Sequence, residues 1–181
     1  MFEFLRGKRK PDKAPEPGEP ARPTARAPED DPTVMRPGRE VGYSAELIPR
    51  LQADHQALFK SFDGMVDAFG RRDFERVKAG ARQLKSMLQD HLMLENIKLY
   101  VYLRQNLSHE AQEYQLVTAF RKEMDGIGRE AMAFLDKYQQ LAEQPELVDS
   151  FESEARRVRQ IVHDRMSREE ATLYQLYQAS Y

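Results

Sequence analysis

After residue 42 the apolar side chains of this chain recur in steps of three and four, the spacing that lines one face of an α-helix. Four such stripes follow one another. The first runs Leu51, His55, Leu58, Phe62, Met65, Phe69, and the second Val77, Leu84, Leu88, His91, Glu95, Tyr102. The third runs Tyr114, Val117, Phe120, Met124, Ile127, Ala131, Phe134, Tyr138, Leu141, and the last Phe151, Ala155, Val158, Val162, Arg165, Glu169, Leu173, Leu176. Breaks fall between them. Asp73 in "GRRD" and Ser108 in "NLS" are expected N-caps, Pro145 in "EQPE" is expected in the first turn of the last helix, and Pro49 is expected to trim the first. Four helices with short connections predict an all-α, antiparallel up-down-up-down bundle over residues 43–181, with no internal repeat visible.

Residues 1–42 have a different character. Eight of the ten prolines lie between Pro11 and Pro37 among alternating charges, so this stretch cannot bury enough apolar surface to repay its ordering and reads as a disordered linker. Ahead of it, Phe2, Phe4 and Leu5 followed by Arg6, Lys8, Arg9 and Lys10 form a short apolar and basic tip, read as a disordered terminus or as a weak docking motif for a membrane surface or a regulatory protein partner. The formal charge of -2 and the lack of a basic, aromatic-studded stripe argue against nucleic acid. No apolar run reaches the length of a membrane span, and "MFEFLRGKRK" lacks the features of a signal peptide. Cysteine is absent, which removes disulfides and thiol chemistry, and the expected localisation is cytoplasmic. Oligomeric state leaves no trace in the sequence.

Within the stripes, five polar side chains sit where apolar ones belong: His55, His91, Glu95, Arg165 and Glu169. His91 and Glu95, four apart, stack on one helical face and either grip a common cation or bond each other. Burying such groups unpaired costs several kcal/mol, and imidazoles with carboxylates between helices are how bundles build sites for ions such as iron and zinc. No catalytic Ser-His-Asp arrangement, phosphate loop or dinucleotide fingerprint is present, so the expectation is a non-enzymatic protein. His109 reads as a solvent-exposed residue near a helix start and His163 as a surface histidine. The latter lies two residues before Arg165, about 200° round the helix.

In "DH" (Asp54, His55), "HLMLE" (His91 to Glu95), "EMDGI" (Glu123 to Ile127) and "RMSREE" (Arg165 to Glu170) the chain resembles the hemerythrin-like HHE cation-binding domains over residues 44–178. The resemblance implies a four-helix bundle and a non-haem di-iron centre held by five histidines and two bridging carboxylates, with some members binding or sensing oxygen. It implies metal positions at His55, His91, Glu95, Glu169 and Glu170. Three family ligand positions are lost, since Met124, Gly128 and Arg165 stand where the family writes histidine. Iron is therefore expected as a single ion or a partial di-iron site, or is absent.

Arg165 carries a permanent charge and several donors, so it can neutralise carboxylates at Glu95, Glu169 and Glu123 in the metal's stead. Its loss from a buried network would strand them at a cost of about 3 to 5 kcal/mol. The expected function is a sensing, regulatory or interaction module, acting through the bundle surface or the N-terminal tip, with a degenerate iron site. The alternative is a working non-haem iron domain that responds to oxygen, redox state or iron.

Overall fold

The computed structural model describes residues 40–179. The expected linker and its apolar, basic tip lie outside these residues, apart from the few that lead into the first helix. Among the described residues there are helices and no strands. Helix α1 spans Leu47–Gly70 and α2 Phe74–Leu94. A π-helical turn over Glu95–Leu99 carries α2 without a break into α3, Tyr100–Asn106. Helix α4 spans Ala111–Tyr138. A 3₁₀ turn at Pro145–Leu147 opens α5, Val148–Arg168, which continues through a second π turn, Glu169–Leu173, into a 3₁₀ turn at Tyr174–Leu176. These form four rods, each packed on its neighbour in sequence, and the last closes on the first.

The helix boundaries follow local chemistry. Asp73 caps α2 as expected, its carboxylate accepting from the Arg76 N–H at 3.1 Å. Pro49 falls within the first turn of α1, where its missing N–H has no intrahelical partner to lose. Ser108 does not cap α4. Its hydroxyl donates back to the Gln105 carbonyl at 3.2 Å, and the cap position is Glu110, which makes no side-chain bond there. Pro145 starts the 3₁₀ turn ahead of α5 rather than α5 itself.

The interior is layered. One apolar cluster takes Leu58, Phe62, Met65, Val77, Leu84, Leu88, Phe134, Tyr138, Phe151 and Val158. A second takes Leu47, Leu51, Leu99, Tyr100, Leu103, Val117, Phe120, Leu173 and Tyr174. In sequence, His55 lies between Leu51 and Leu58, the pair His91/Glu95 between Leu88 and Leu99, and Arg165/Glu169 between Val158 and Leu173. The polar residues of three rods thus form a layer between two greasy ones. Helix α4 spans the same interval from Phe120 to Ala131 with Met124 and Gly128 as its buried residues. Of the expected apolar positions, Tyr114, Ile127, Val162 and Leu176 are only half-buried.

Candidate metal centre

All five interior polar residues are buried together, with His55 the most exposed at 2%. His55, His91 and Glu95 each offer a ligand atom such that the three atoms lie within 4.8 Å of one another. His91 and Glu95 do not bond each other. His91 Nε2 is 3.9 Å from Glu95 Oε2, and its Nδ1 is 3.7 Å from Asp54, both beyond hydrogen-bond reach. Both ring nitrogens of His91 and Oε2 of Glu95 are buried without a hydrogen-bond partner. Each such atom costs about 1 to 3 kcal/mol unless something else satisfies it.

His55 is held differently. Its Nδ1 lies 2.7 Å from Glu170 Oε1, and an ionised carboxylate only accepts, so Nδ1 carries the proton and Nε2 keeps its lone pair. That lone pair faces the layer. The Tyr174 hydroxyl is 3.2 Å from Nε2 and 3.3 Å from Glu95 Oε1, so its single proton is shared between two acceptors. Glu169 Oε2 is 3.6 Å from the same nitrogen.

The other half of the layer belongs to Arg165. One terminal nitrogen, Nη2, gives its N–H groups to the Tyr100 hydroxyl at 2.8 Å and the Phe120 carbonyl at 3.2 Å. It also lies 2.8 Å from Glu169 Oε1, yet neither oxygen of Glu169 receives a well-directed hydrogen bond, because the N–H groups point at Tyr100 and Phe120. The contact is an ion pair by proximity. The guanidinium lies over the Phe120 ring, 4.5 Å from its centroid, and Nε and Nη1 are unpartnered.

Burial dominates the protonation of the layer. It pushes His91 down to about 3, with His55 adding to the effect, and it lowers His55 against the opposing pull of Glu170. Glu95 is pushed up to about 7 by burial, although Arg165 and the Tyr174 hydroxyl favour its charged form. Burial and the neighbouring Glu95 likewise raise Glu169, and burial raises Tyr100 and Tyr174. The imidazoles are neutral and able to donate lone pairs.

The layer contains two carboxylates and one fixed cation. Arg165 offsets one carboxylate, and burial raises both Glu95 and Glu169, so the pair favours holding a proton in place of its second negative charge. A metal ion at His55, His91 and Glu95 would replace that proton and engage one nitrogen of His91 and a carboxylate oxygen of Glu95, so the donor set fits the group. Glu170 touches the far nitrogen of His55, a place that orients an imidazole and raises its basicity.

Several expectations change on this geometry. Glu123 is not in the cluster; it is an exposed partner of Arg168 at 2.6 Å, because it sits one residue off the buried face of α4. Its carboxyl is held below the usual range chiefly by that bond. His109 and His163 are exposed. The site also contains Phe120 as a ring under a cation and Asp54 beside His91, while of the tyrosines expected either to bond buried histidines or to pack at the core edge, Tyr174 lies against His55 and Tyr100 accepts from Arg165.

An internal repeat, missed in the sequence, accounts for much of this. Helices α2 and α5 both write an E-x-x-x-L-Y string: Glu95, Leu99, Tyr100 in one and Glu169, Leu173, Tyr174 in the other. In each, the π turn starts at the glutamate, and the residue four before it is His91 in one case and Arg165 in the other. The tyrosines cross over, so that Tyr174 serves the histidine half and Tyr100 the arginine half.

Beneath the layer the core leaves a cavity of about 30 Å³, lined by apolar side chains that include Leu58, Phe62, Leu88, Phe134, Val158 and Met166. No helix among the described residues is long and apolar enough to cross a membrane. Neither the curated proteins nor the solved structures give a match to this chain. The family model for the hemerythrin HHE cation binding domain matches residues 46–177, a span that includes every member of the layer. The imidazole and carboxylate donors gathered between four helices are those of a chain that belongs to the hemerythrin HHE cation-binding family.

Proposed function

We propose that the chain is a non-enzymatic regulatory module whose input is one non-haem metal ion, with iron the family's choice, held by His55, His91 and Glu95. The second positive charge of the layer is supplied by Arg165. The observation that carries this reading is the convergence of buried donors, one ligand atom each from His55, His91 and Glu95, with neither nitrogen of His91 nor Oε2 of Glu95 bonded within the protein. Neutral imidazoles and one carboxylate suit iron, and such an ion supplies a redox-active centre with positions open to a small ligand. Within the layer, Glu170 orients His55, and Arg165 holds Glu169 by charge.

The regulatory part of the reading is supported by the long proline-rich segment attached to the bundle. Metal-free protein titrated anaerobically with Fe(II) should take up the ion, and His91→Ala should lower the affinity at least tenfold or so, the scale of losing one ligand of a small set. Absence of uptake by the natural chain, or uptake indifferent to His91, overturns the proposal.

A further inference from the structure

Beyond the layer, a tyrosine clamp fastens the segment that leads into α1. The Ser44 N–H donates to the Tyr177 hydroxyl at 2.9 Å, and the Val41 N–H to Gln105 Oε1 at 3.1 Å. The Tyr43 ring stacks on Tyr177 with centroids 5.1 Å apart, and Tyr177 packs against Tyr102 at 4.6 Å. The Tyr102 hydroxyl ties down the far side by donating to the Gln178 carbonyl at 2.5 Å. Three residues before Tyr177 is Tyr174, whose hydroxyl lies within hydrogen-bond distance of both His55 and Glu95.

We infer that Tyr174 links metal loading at the His55/His91/Glu95 centre to the Tyr177 clamp on residues 41–44, so that an ion in the centre loosens the segment leading into α1. The inference rests on the single-metal reading above. An ion that accepts the Nε2 lone pair of His55 competes with the Tyr174 hydroxyl, which lies 3.2 Å from that nitrogen. The hydroxyl lies on the axis of its ring, so a ring flip does not move it. The ring is also 4% exposed and stacked on His55 at 19°, which blocks a swing of the side chain.

Displacement must therefore pass to the backbone. The backbone there is the least regular in the bundle, a π turn at Glu169–Leu173 followed directly by a 3₁₀ turn at Tyr174–Leu176. The 3₁₀ turn bonds less well than α-helix, and a π turn is an irregular insertion into it, so this stretch holds its geometry less firmly than the α-helix before it. Tyr177 closes the 3₁₀ turn through its N–H to the Tyr174 carbonyl at 3.2 Å, so a shift of Tyr174 is passed to the ring that holds Ser44.

The test uses the full chain and Zn(II) alone, which is redox-inert, with binding followed calorimetrically in the same samples used for hydrogen exchange. In the natural protein, zinc should speed exchange of the Ser44 amide by about tenfold, the value of one hydrogen bond. Tyr174→Phe, which has no hydroxyl to displace, should bind zinc without that change. Tyr177→Phe removes the acceptor and should exchange fast at Ser44 with or without zinc, a control on the assignment of the protected amide. Zinc binding with unchanged Ser44 exchange, or an equal change in Tyr174→Phe, overturns the link. No zinc binding at all overturns the metal reading and the link together, and the calorimetry separates this case from the others.

Discussion

Glu95 and His91 titrate in opposite senses, and their opposition is measurable. Glu95 rises from 4.5 to about 7 on folding, so its contribution is complete below pH 4.5 and is lost as pH climbs towards 7. His91 falls from 6.5 to about 3, so its contribution is complete above 6.5 and is lost as pH drops towards 3. Between pH 4.5 and 6.5 the unfolded chain protonates His91 and ionises Glu95 while the folded chain does neither, so the two slopes cancel. Glu95→Gln removes one of them. The stability of the metal-free variant should then rise with pH relative to the natural protein by about 1.4 kcal/mol per pH unit in that window. Parallel denaturation profiles would contradict the burial of an uncompensated pair.

At this scale the sequence was informative where geometry is periodic. The five interior polar residues could be read as one cluster because i, i+3 and i+4 positions fix the face of a helix. Glu123, expected as a partner of Arg165, pairs with Arg168 instead, because it is one residue from the buried Met124 and one residue turns the side chain about 100° towards solvent. The hydroxyl bonds of Tyr100 and Tyr174 depend on which rod lies opposite, which no local pattern contains.

Among the elements, the two π turns were the least legible. A π turn inserts a residue into the helical count and has no composition of its own. A strict 3.6 period takes the second stripe from Glu95 to Tyr102, whereas Leu99, Tyr100, Tyr102 and Leu103 are all buried. The repeated E-x-x-x-L-Y string was the available sign, visible once α2 and α5 with their π turns are laid side by side.

Helix α4 differs from its neighbours, for it adds Met124 and Gly128 at the level of the layer and no donor. A Cβ at Gly128 would meet Leu92 Cδ1 at 3.3 Å, the end of a flexible and half-buried side chain. Leu92 can yield by a few tenths of an ångström, and alanine restores helix propensity. Gly128→Ala should stabilise the bundle by about 0.5 to 1 kcal/mol in chemical denaturation. A loss of stability would show that the α2–α4 contact is too tight to give.

As a whole, the described bundle is two apolar clusters with a charged layer between them, and the two halves of that layer are built alike but filled differently. One half pairs a glutamate with two neutral imidazoles and lacks a cation. The other pairs a glutamate with Arg165, which brings its own. The bundle and its rods were readable from periodicity alone, because each stripe must find a partner face. The division of labour between the halves was readable only in part, from the arginine standing at a family histidine position. The measurement that tests it most directly is the metal content, per chain, of protein purified from iron-supplemented cells and freed of loosely held ions. One ion per chain is the expected result, since Arg165 occupies the second half. Two ions with Arg165 in place, or none, would contradict a centre shared between a metal and a guanidinium.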